Sequence, residues 1–242
     1  MIEVTGLSKR FGDVQAIEGV SFVAPKGRIT CLLGPNGAGK STTLRILATV
    51  LQADQGEVQI DGVDARKEPL EARRRIGVLP HGSSVYGNMT ARENIAYYAA
   101  LQGLTGAAAE ARIDRVIGEL YLEQIADRRA RGFSQGQHIR VSLARCMVHD
   151  PSILILDEPT NGLDVLTTRA LRHVILERRD AGCCVLFSSH VMQEVAALCD
   201  QIVIISGGHV AVTGTAHDIR IATGKDDLED AFLAAVELED SD

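Results

Sequence analysis

Apolar positions along the chain change their period twice. From Ile2 to about Asp64 they come in short runs broken by glycine and aspartate turns, the rhythm of strands. Within this region Ile29–Leu33 and Glu57–Gly62 read as strands, and Ile76–Leu79 is a further one that stops at Pro80. From Ser83 to Asp150 the period becomes helical. Thr90 and Glu93 have the spacing of a capping box ahead of Ile95, Tyr98 and Leu101, and Ala108–Tyr121 and Ser134–His149 continue the pattern. The continuous apolar run Ser152–Leu156 then has the length of a strand covered on both faces. Helix Val165–Arg179, strand Cys183–Phe187, helix Val191–Leu198 and strand Gln201–Ile205 follow in alternation. Such alternation implies a mostly parallel sheet with helices on both faces. Gly207-Gly208 predicts a hairpin into Val210–Val212, and Leu228–Leu238 an amphipathic terminal helix. The expected organisation is an α/β core of residues 1–82 and 151–225, a helical insertion at about 83–150, and a short acidic helix and tail at 226–242.

Composition narrows the function. The 242 residues carry a formal charge of −7, which argues against a nucleic-acid partner. Much of the acid is in the tail, where Asp226, Asp227, Glu229, Asp230, Glu237, Glu239, Asp240 and Asp242 face only Lys225. Cys31, Cys146, Cys183, Cys184 and Cys199 sit in apolar runs without metal-ligand spacing, as expected of buried thiols in a reducing cytosol. The N-terminus lacks the pattern of a signal peptide, and no apolar stretch reaches the ~20 residues that span a bilayer. Any membrane-spanning segments are expected on other chains.

Two motifs carry chemistry. Gly34-Pro35-Asn36-Gly37-Ala38-Gly39-Lys40-Ser41 lies between the strand Ile29–Leu33 and a helix through Thr42–Leu47, the context that a phosphate-binding loop requires. Its glycines turn successive N–H groups toward a polyphosphate at a helix N-terminus. Lys40 supplies a cation for the β- and γ-phosphates, and the Ser41 hydroxyl is a ligand for Mg²⁺. The second motif is Ile153-Leu154-Ile155-Leu156-Asp157-Glu158, a buried strand that delivers two carboxylates to its C-terminal edge, where α/β proteins bind ligands. Asp157 is placed to hold Mg²⁺ opposite Ser41, and Glu158 to polarise an attacking water. Together they predict the P-loop NTPase fold.

Just before that strand, Gly132-Phe133-Ser134-Gln135-Gly136-Gln137 resembles the LSGGQ signature of ABC ATPases, with Phe133 for the leucine and Gln135 for the first glycine. Asn161-Gly162-Leu163-Asp164 is similar to that family's D-loop, Phe187-Ser188-Ser189-His190 to its switch-histidine segment, and Leu7–Gly12 to the segment whose aromatic stacks on adenine. The resemblance is ordered and covers nearly the whole chain. It implies a RecA-like core with an N-terminal antiparallel β subdomain and the signature on the inserted helices. ATP would lie with its adenine on Phe11 and its phosphates on Gly34, Asn36, Gly37, Ala38, Gly39, Lys40, Ser41 and Thr42. Glu158 would act as base, His190 would contact the γ-phosphate beside Lys40, and Ser41 and Asp157 would hold Mg²⁺. The family works as a head-to-tail dimer, so Ser134, Gly136, Gln137 and Asp164 would complete the site of a second copy. A helix N-terminus carrying Ser134 suits an anion, but not one bound to the same chain's phosphate loop.

One position departs from the family. Where its Q-loop places glutamine, this chain has His81, within Ile76–Tyr86. A neutral imidazole offers one acceptor nitrogen and loses it on protonation, so His81 is a poor metal ligand. A retained coupling role is expected of the loop, with turnover dependent on pH.

The segments Asn88–Asn94 and Asp227–Leu233 resemble the sodium-extrusion and drug-resistance branch of ABC exporters. That implies an ATPase paired with separate integral-membrane permease subunits, as homodimer or heterodimer, cytoplasmic and peripheral on the inner membrane face. The other class is a soluble ABC ATPase such as an iron–sulfur cluster assembly ATPase. A non-hydrolysing regulator would need a broken site, whereas Lys40, Asp157, Glu158 and His190 are all present.

Overall fold

The computed structural model describes residues 1–82 and 84–239. Strand β1 (Ile2–Phe11) pairs antiparallel with β2 (Val14–Ala24), and β3 (Ile29–Leu33) leads through the phosphate loop into α1 (Lys40–Leu47). β4 (Gln55–Ile60) and β5 (Val63–Asp64) complete a four-stranded antiparallel sheet in the order β2-β1-β4-β5. After α2 (Pro69–Arg75) and β6 (Ile76–Leu79) come α3 (Ala91–Leu101), α4 (Gly106–Glu119), a 3₁₀ turn at Glu123–Ile125 and α5 (Gln135–Met147). β7 (Ile153–Asp157), α6 (Val165–Asp180), β8 (Cys184–Ser189), α7 (Met192–Leu198), β9 (Gln201–Ser206) and β10 (His209–Gly214) then alternate. The chain ends in α8 (Ala216–Thr223) and α9 (Leu228–Glu239). The second sheet has six strands in the order β10-β9-β3-β8-β7-β6, parallel except for the β10 hairpin edge.

Alternation within the central strands explains the layering. Leu154, Leu156, Val185 and Phe187 face one hydrophobic cluster, shared with Ile95, Ile113, Val116 and Leu143 of the inserted helices. Their neighbours Ile153, Ile155, Cys184 and Leu186 face the opposite cluster, with Leu44 and Leu47 of α1 and Ile2, Val4 and Val58 of the antiparallel sheet. A parallel strand buried on both sides must be apolar at every position, which is how β7 reads. Each such side chain contributes about 1.5–3 kcal/mol on burial. Helices lie on both faces, and the antiparallel sheet shares one of them. α9 returns Leu228, Ala231 and Ala235 to the first cluster; Asp240 and Asp242 of the acidic tail lie outside the described residues.

The capping box forms as its spacing predicts: the Glu93 N–H donates to Thr90 Oγ1 at 3.0 Å and the Thr90 N–H to Glu93 Oε2 at 2.7 Å. Two helices add to the expected set. α2 begins with a proline at its first turn and carries Arg73–Arg75 in its last turn. α8 starts at its own capping box, Thr215 with Asp218. His149 is half-buried, with Nε2 3.1 Å from the Ile76 carbonyl. Four of the five cysteines are buried, and desolvation pushes the thiols of Cys146 and Cys183 up to about 12. Among the described residues no helix is long and apolar enough to cross a membrane.

Candidate functional site

Topology assembles the site. β3 and β7 flank β8 and all three run parallel, so their C-terminal ends meet at one edge. Leu33 pairs with Ser189 and Asp157 with Ser188. The phosphate loop therefore emerges beside the two carboxylates and the segment around His190, which lie more than a hundred residues further along the chain. This is the edge at which open parallel sheets bind ligands.

The loop itself is built on tight approaches. Gly39 has φ +102°, and a Cβ there would stand 2.4 Å from Ile17 Cγ2 and 2.7 Å from the Ala16 carbonyl oxygen. Only glycine fits that backbone. α1 begins at Lys40, two residues earlier than the apolar pattern indicates, because the loop's last turn is already helical. The Lys40 side chain is 5% exposed, and its ammonium donates to the carbonyls of Gly34 at 2.7 Å and Pro35 at 2.9 Å. Burial lowers its pKa, against the opposing pull of Glu158 and Asp157. A buried cation hydrogen-bonded only to carbonyls calls for negative charge nearby, which Asp157 and Glu158 supply.

Asp157, 6% exposed, accepts from Ser188 Oγ at 2.6 Å and from Ser41 Oγ at 3.2 Å through the same oxygen. The Ser41 and Asp157 oxygens are both hard donors. Their separation is near the ~2.9 Å that adjacent ligands take around an octahedral cation with bonds of ~2.05 Å. These two residues fit Mg²⁺.

Glu158 follows in a left-handed conformation, φ +49°, rare for a residue with a side chain. Its N–H donates to Ser188 Oγ at 2.9 Å, which fixes the turn. The carboxylate is held between two imidazoles: Oε1 lies 3.1 Å from His190 Nδ1, and Oε2 lies 3.5 Å from His81 Nδ1. Asn161 Nδ2 donates to Oε2 at 3.2 Å. His190 does not cap α7; that position belongs to Val191.

A hollow of about 430 Å³ is lined by Asn36, Ser41, His81, Glu158, Asn161 and His190, and it adjoins one of about 160 Å³ along Gly37, Gly39, Lys40, Ser41 and Thr42. Phe11 stands 47% exposed at the end of β1, with the Lys9 ammonium 5.5 Å from its ring centre. Ala38 is buried behind the loop.

Ser134, Gly136, Gln137 and Asp164 line neither hollow. Ser134 caps α5, with Gln137 reaching back to its N–H at 3.0 Å. Asp164 caps α6, and the N–H and hydroxyl of Thr167 hold its carboxyl below the usual carboxylate value. A Cβ on Gly136 would meet Thr167 Oγ1 at 2.9 Å, so α5 and α6 begin in close contact.

One buried carboxylate carries no motif. Glu194, on α7 and 6% exposed, accepts from Thr160 Oγ1 at 2.5 Å and from Ser189 Oγ at 3.3 Å, and Arg172 Nη2 lies 3.9 Å away. It ties the segment after Glu158 to the end of β8. A Glu within the first turn of a helix reads as a helix-dipole partner, so the pattern alone does not mark it.

Comparison with known proteins gives this geometry a family. Residues 17–161 match the ABC transporter family. The ABC transporter ATP-binding protein NatA of Bacillus subtilis is 39% identical over 239 residues, covering 97% of each chain. The chain belongs to the ABC transporter ATP-binding family. A linearmycin resistance ATP-binding protein of Bacillus subtilis is 32% identical, over 98% of this ABC ATPase and 78% of that protein. A bacterial ABC transporter cassette solved as a dimer is 26% identical, with a TM-score of 0.80 over 89% of this chain and 98% of that one. The protein is thus an ATP-binding ATP hydrolase of the ABC type, and the hollows at the strand edge lie where its phosphate loop and carboxylate strand meet.

Proposed function

We propose that this ABC ATPase powers an exporter, working as a head-to-tail dimer beneath separate membrane-spanning permease subunits on the inner face of the membrane. The observation that carries the reading is the split of the ATPase machinery. Lys40, Ser41, Asp157, Glu158 and His190 share one strand edge, while Ser134, Gly136 and Gln137 line neither of its hollows. A second copy in head-to-tail orientation would bring its signature helix, with the favourable dipole of an N-terminus, onto the exposed side of the phosphates. The relative solved as a dimer supports that arrangement, and the linearmycin resistance relative supports efflux. Na⁺ or a drug is the cargo class that fits the branch.

In this reading Phe11 stacks on adenine, the N–H groups of Gly37, Ala38 and Gly39 and the Lys40 ammonium bind the phosphates, and Glu158 accepts a proton from the attacking water. Ser41 and Asp157 would hold a magnesium ion, which when bound neutralises phosphate charge. His190, in contact with Glu158, orients that carboxylate and faces the terminal phosphate. Hydrolysis removes the phosphate that bridges the two copies, so ATP and ADP favour closed and open states differently. The test is Glu158→Gln with ATP and Mg²⁺, followed by light scattering after size exclusion. The expected result is a doubled mass that reverts on nucleotide removal; a monomer at saturating ATP would overturn the dimer.

A further inference from the structure

The signature of this chain is wired to its own catalytic carboxylate. Gln135, the first residue of α5, stands where the resembled signature has glycine, and its Nε2 donates to the Asn161 carbonyl at 3.1 Å. The Asn161 side chain continues the path, donating from Nδ2 to Glu158 Oε2 at 3.2 Å, and its own N–H donates to the Glu158 carbonyl at 3.2 Å. The next residue makes the approach possible. Gly162 has φ +71°, and a Cβ there would stand 2.4 Å from Gln135 Nε2. A side chain at 162 would push the amide off Asn161. Gln135, Asn161 and Glu158 also line one shared hollow of about 240 Å³. A glycine at 135 could not make the contact to the Asn161 carbonyl.

We propose that Gln135 and Asn161 are positioning residues that couple the two ATP sites of the dimer. The inference rests on the head-to-tail reading. There, each chain's signature touches the nucleotide bound by its partner, whereas each chain's Glu158 serves its own. A shift of the α5 N-terminus as it engages the partner's phosphates moves Gln135, then the Asn161 backbone, then the amide that holds Glu158 Oε2. Glu158 is set for proton transfer only when the opposite site is filled. The relay acts on the carboxylate and leaves ATP affinity alone, so its signature is a loss of kcat at constant KM.

The full-length protein tests this with kcat and KM for ATP measured in the wild type, Gln135→Gly, Asn161→Ala and the double variant. Gln135→Ala is the second substitution at the same position, because it keeps a strong helix former at the start of α5. The expected result is a fall in kcat of about three- to tenfold for each single variant, the range of coupling mutations, with KM unchanged and the double variant no worse than the more severe single one. Effects that multiply, or a raised KM with intact kcat, overturn the relay. Mixed dimers with one Glu158→Gln protomer separate cis from trans. The relay requires the loss when Gln135→Gly lies on the protomer that retains Glu158, and turnover close to that of the mixed-dimer control when it lies on the other. A loss confined to the other protomer makes Gln135 a direct nucleotide contact and overturns the proposal. Failure of the dimer itself shows separately, as the absence of ATP-dependent mass doubling in Glu158→Gln.

Discussion

Oε1 of Glu158 lies 3.1 Å from Nδ1 of His190, across the edge where β7 and β8 end. One residue is the proposed base and the other the proposed contact of the terminal phosphate, so in that reading a single contact joins proton acceptance to substrate sensing. Glu158→Gln keeps the size and the hydrogen-bonding reach but removes the basic oxygen. Turnover should fall by ~10²–10⁴-fold, the usual contribution of a positioned base, with ATP binding retained. Phosphate release together with nucleotide-binding titration measures both. Near-normal turnover in the variant would remove Glu158 from the role.

The second imidazole gives a different expectation. His81 Nδ1 is 3.5 Å from Glu158 Oε2, in the segment that resembles the Q-loop. His81→Ala leaves that oxygen with the Asn161 amide alone, so kcat should fall while the KM for ATP stays close to that of the wild type. Steady-state kinetics of the two proteins measure it, and an unchanged kcat would remove His81 from the positioning of Glu158.

How legible the site was depends on how its residues are used. Lys40 and Ser41 announce themselves because a glycine-rich loop followed by Lys-Ser has no packing purpose, and the apolar run before Asp157 fixes the strand that delivers it. The parallel alternation that brings β3, β7 and β8 to one edge follows from the same pattern. Helix α2 was hidden because seven residues with three arginines show no apolar face, and its Pro69 reads as a loop residue. Helix α8 was written in the chain, since Thr215 and Asp218 have the same spacing as Thr90 and Glu93. Contacts between distant loops were illegible. Nothing local in Gln135 or Glu194 indicates that they meet Asn161 or Thr160, because those pairings exist only once the sheet has closed.

Glu194 is where that lesson can be measured. Its carboxylate is buried against the hydroxyls of Thr160 and Ser189, and Arg172 is its cation. Glu194→Ala removes the acceptor of both hydroxyls, although Ser189 Oγ still accepts from the Val191 N–H, and leaves the Arg172 charge without its Glu194 partner. The cost should be about 2–3 kcal/mol, read as a lower urea midpoint at unchanged slope. Because Thr160 and Ser189 adjoin Glu158 and His190, kcat should fall as well. Glu194→Gln, which keeps two hydrogen-bonding atoms, should recover most of the stability. Equal losses in the two variants would show that the charge, not the bracket, is what matters.

Stability against acid should trace in part to Asp150. This residue accepts from Arg115 Nη2 at 2.9 Å and Arg178 Nη1 at 3.2 Å, with Arg112 Nη1 3.7 Å away. Partial burial pushes its carboxyl up, but the three guanidinium groups outweigh that and hold it below the ordinary value. A carboxylate whose folded pKa is depressed adds stability above its unfolded pKa of ~3.9 and loses it as pH falls through the lower folded value. Asp150→Asn is a clean probe, because the backbone here is left-handed, φ +59°, and asparagine tolerates that conformation. The variant should melt below the wild type at about pH 7, and the gap should narrow from about pH 4 downward as the wild-type carboxylate is protonated. Thermal melts across that range decide it. A gap that stays constant into acid would mean that the arginines stabilise the neutral side chain equally well, and the ion pairs would lose their place in the account.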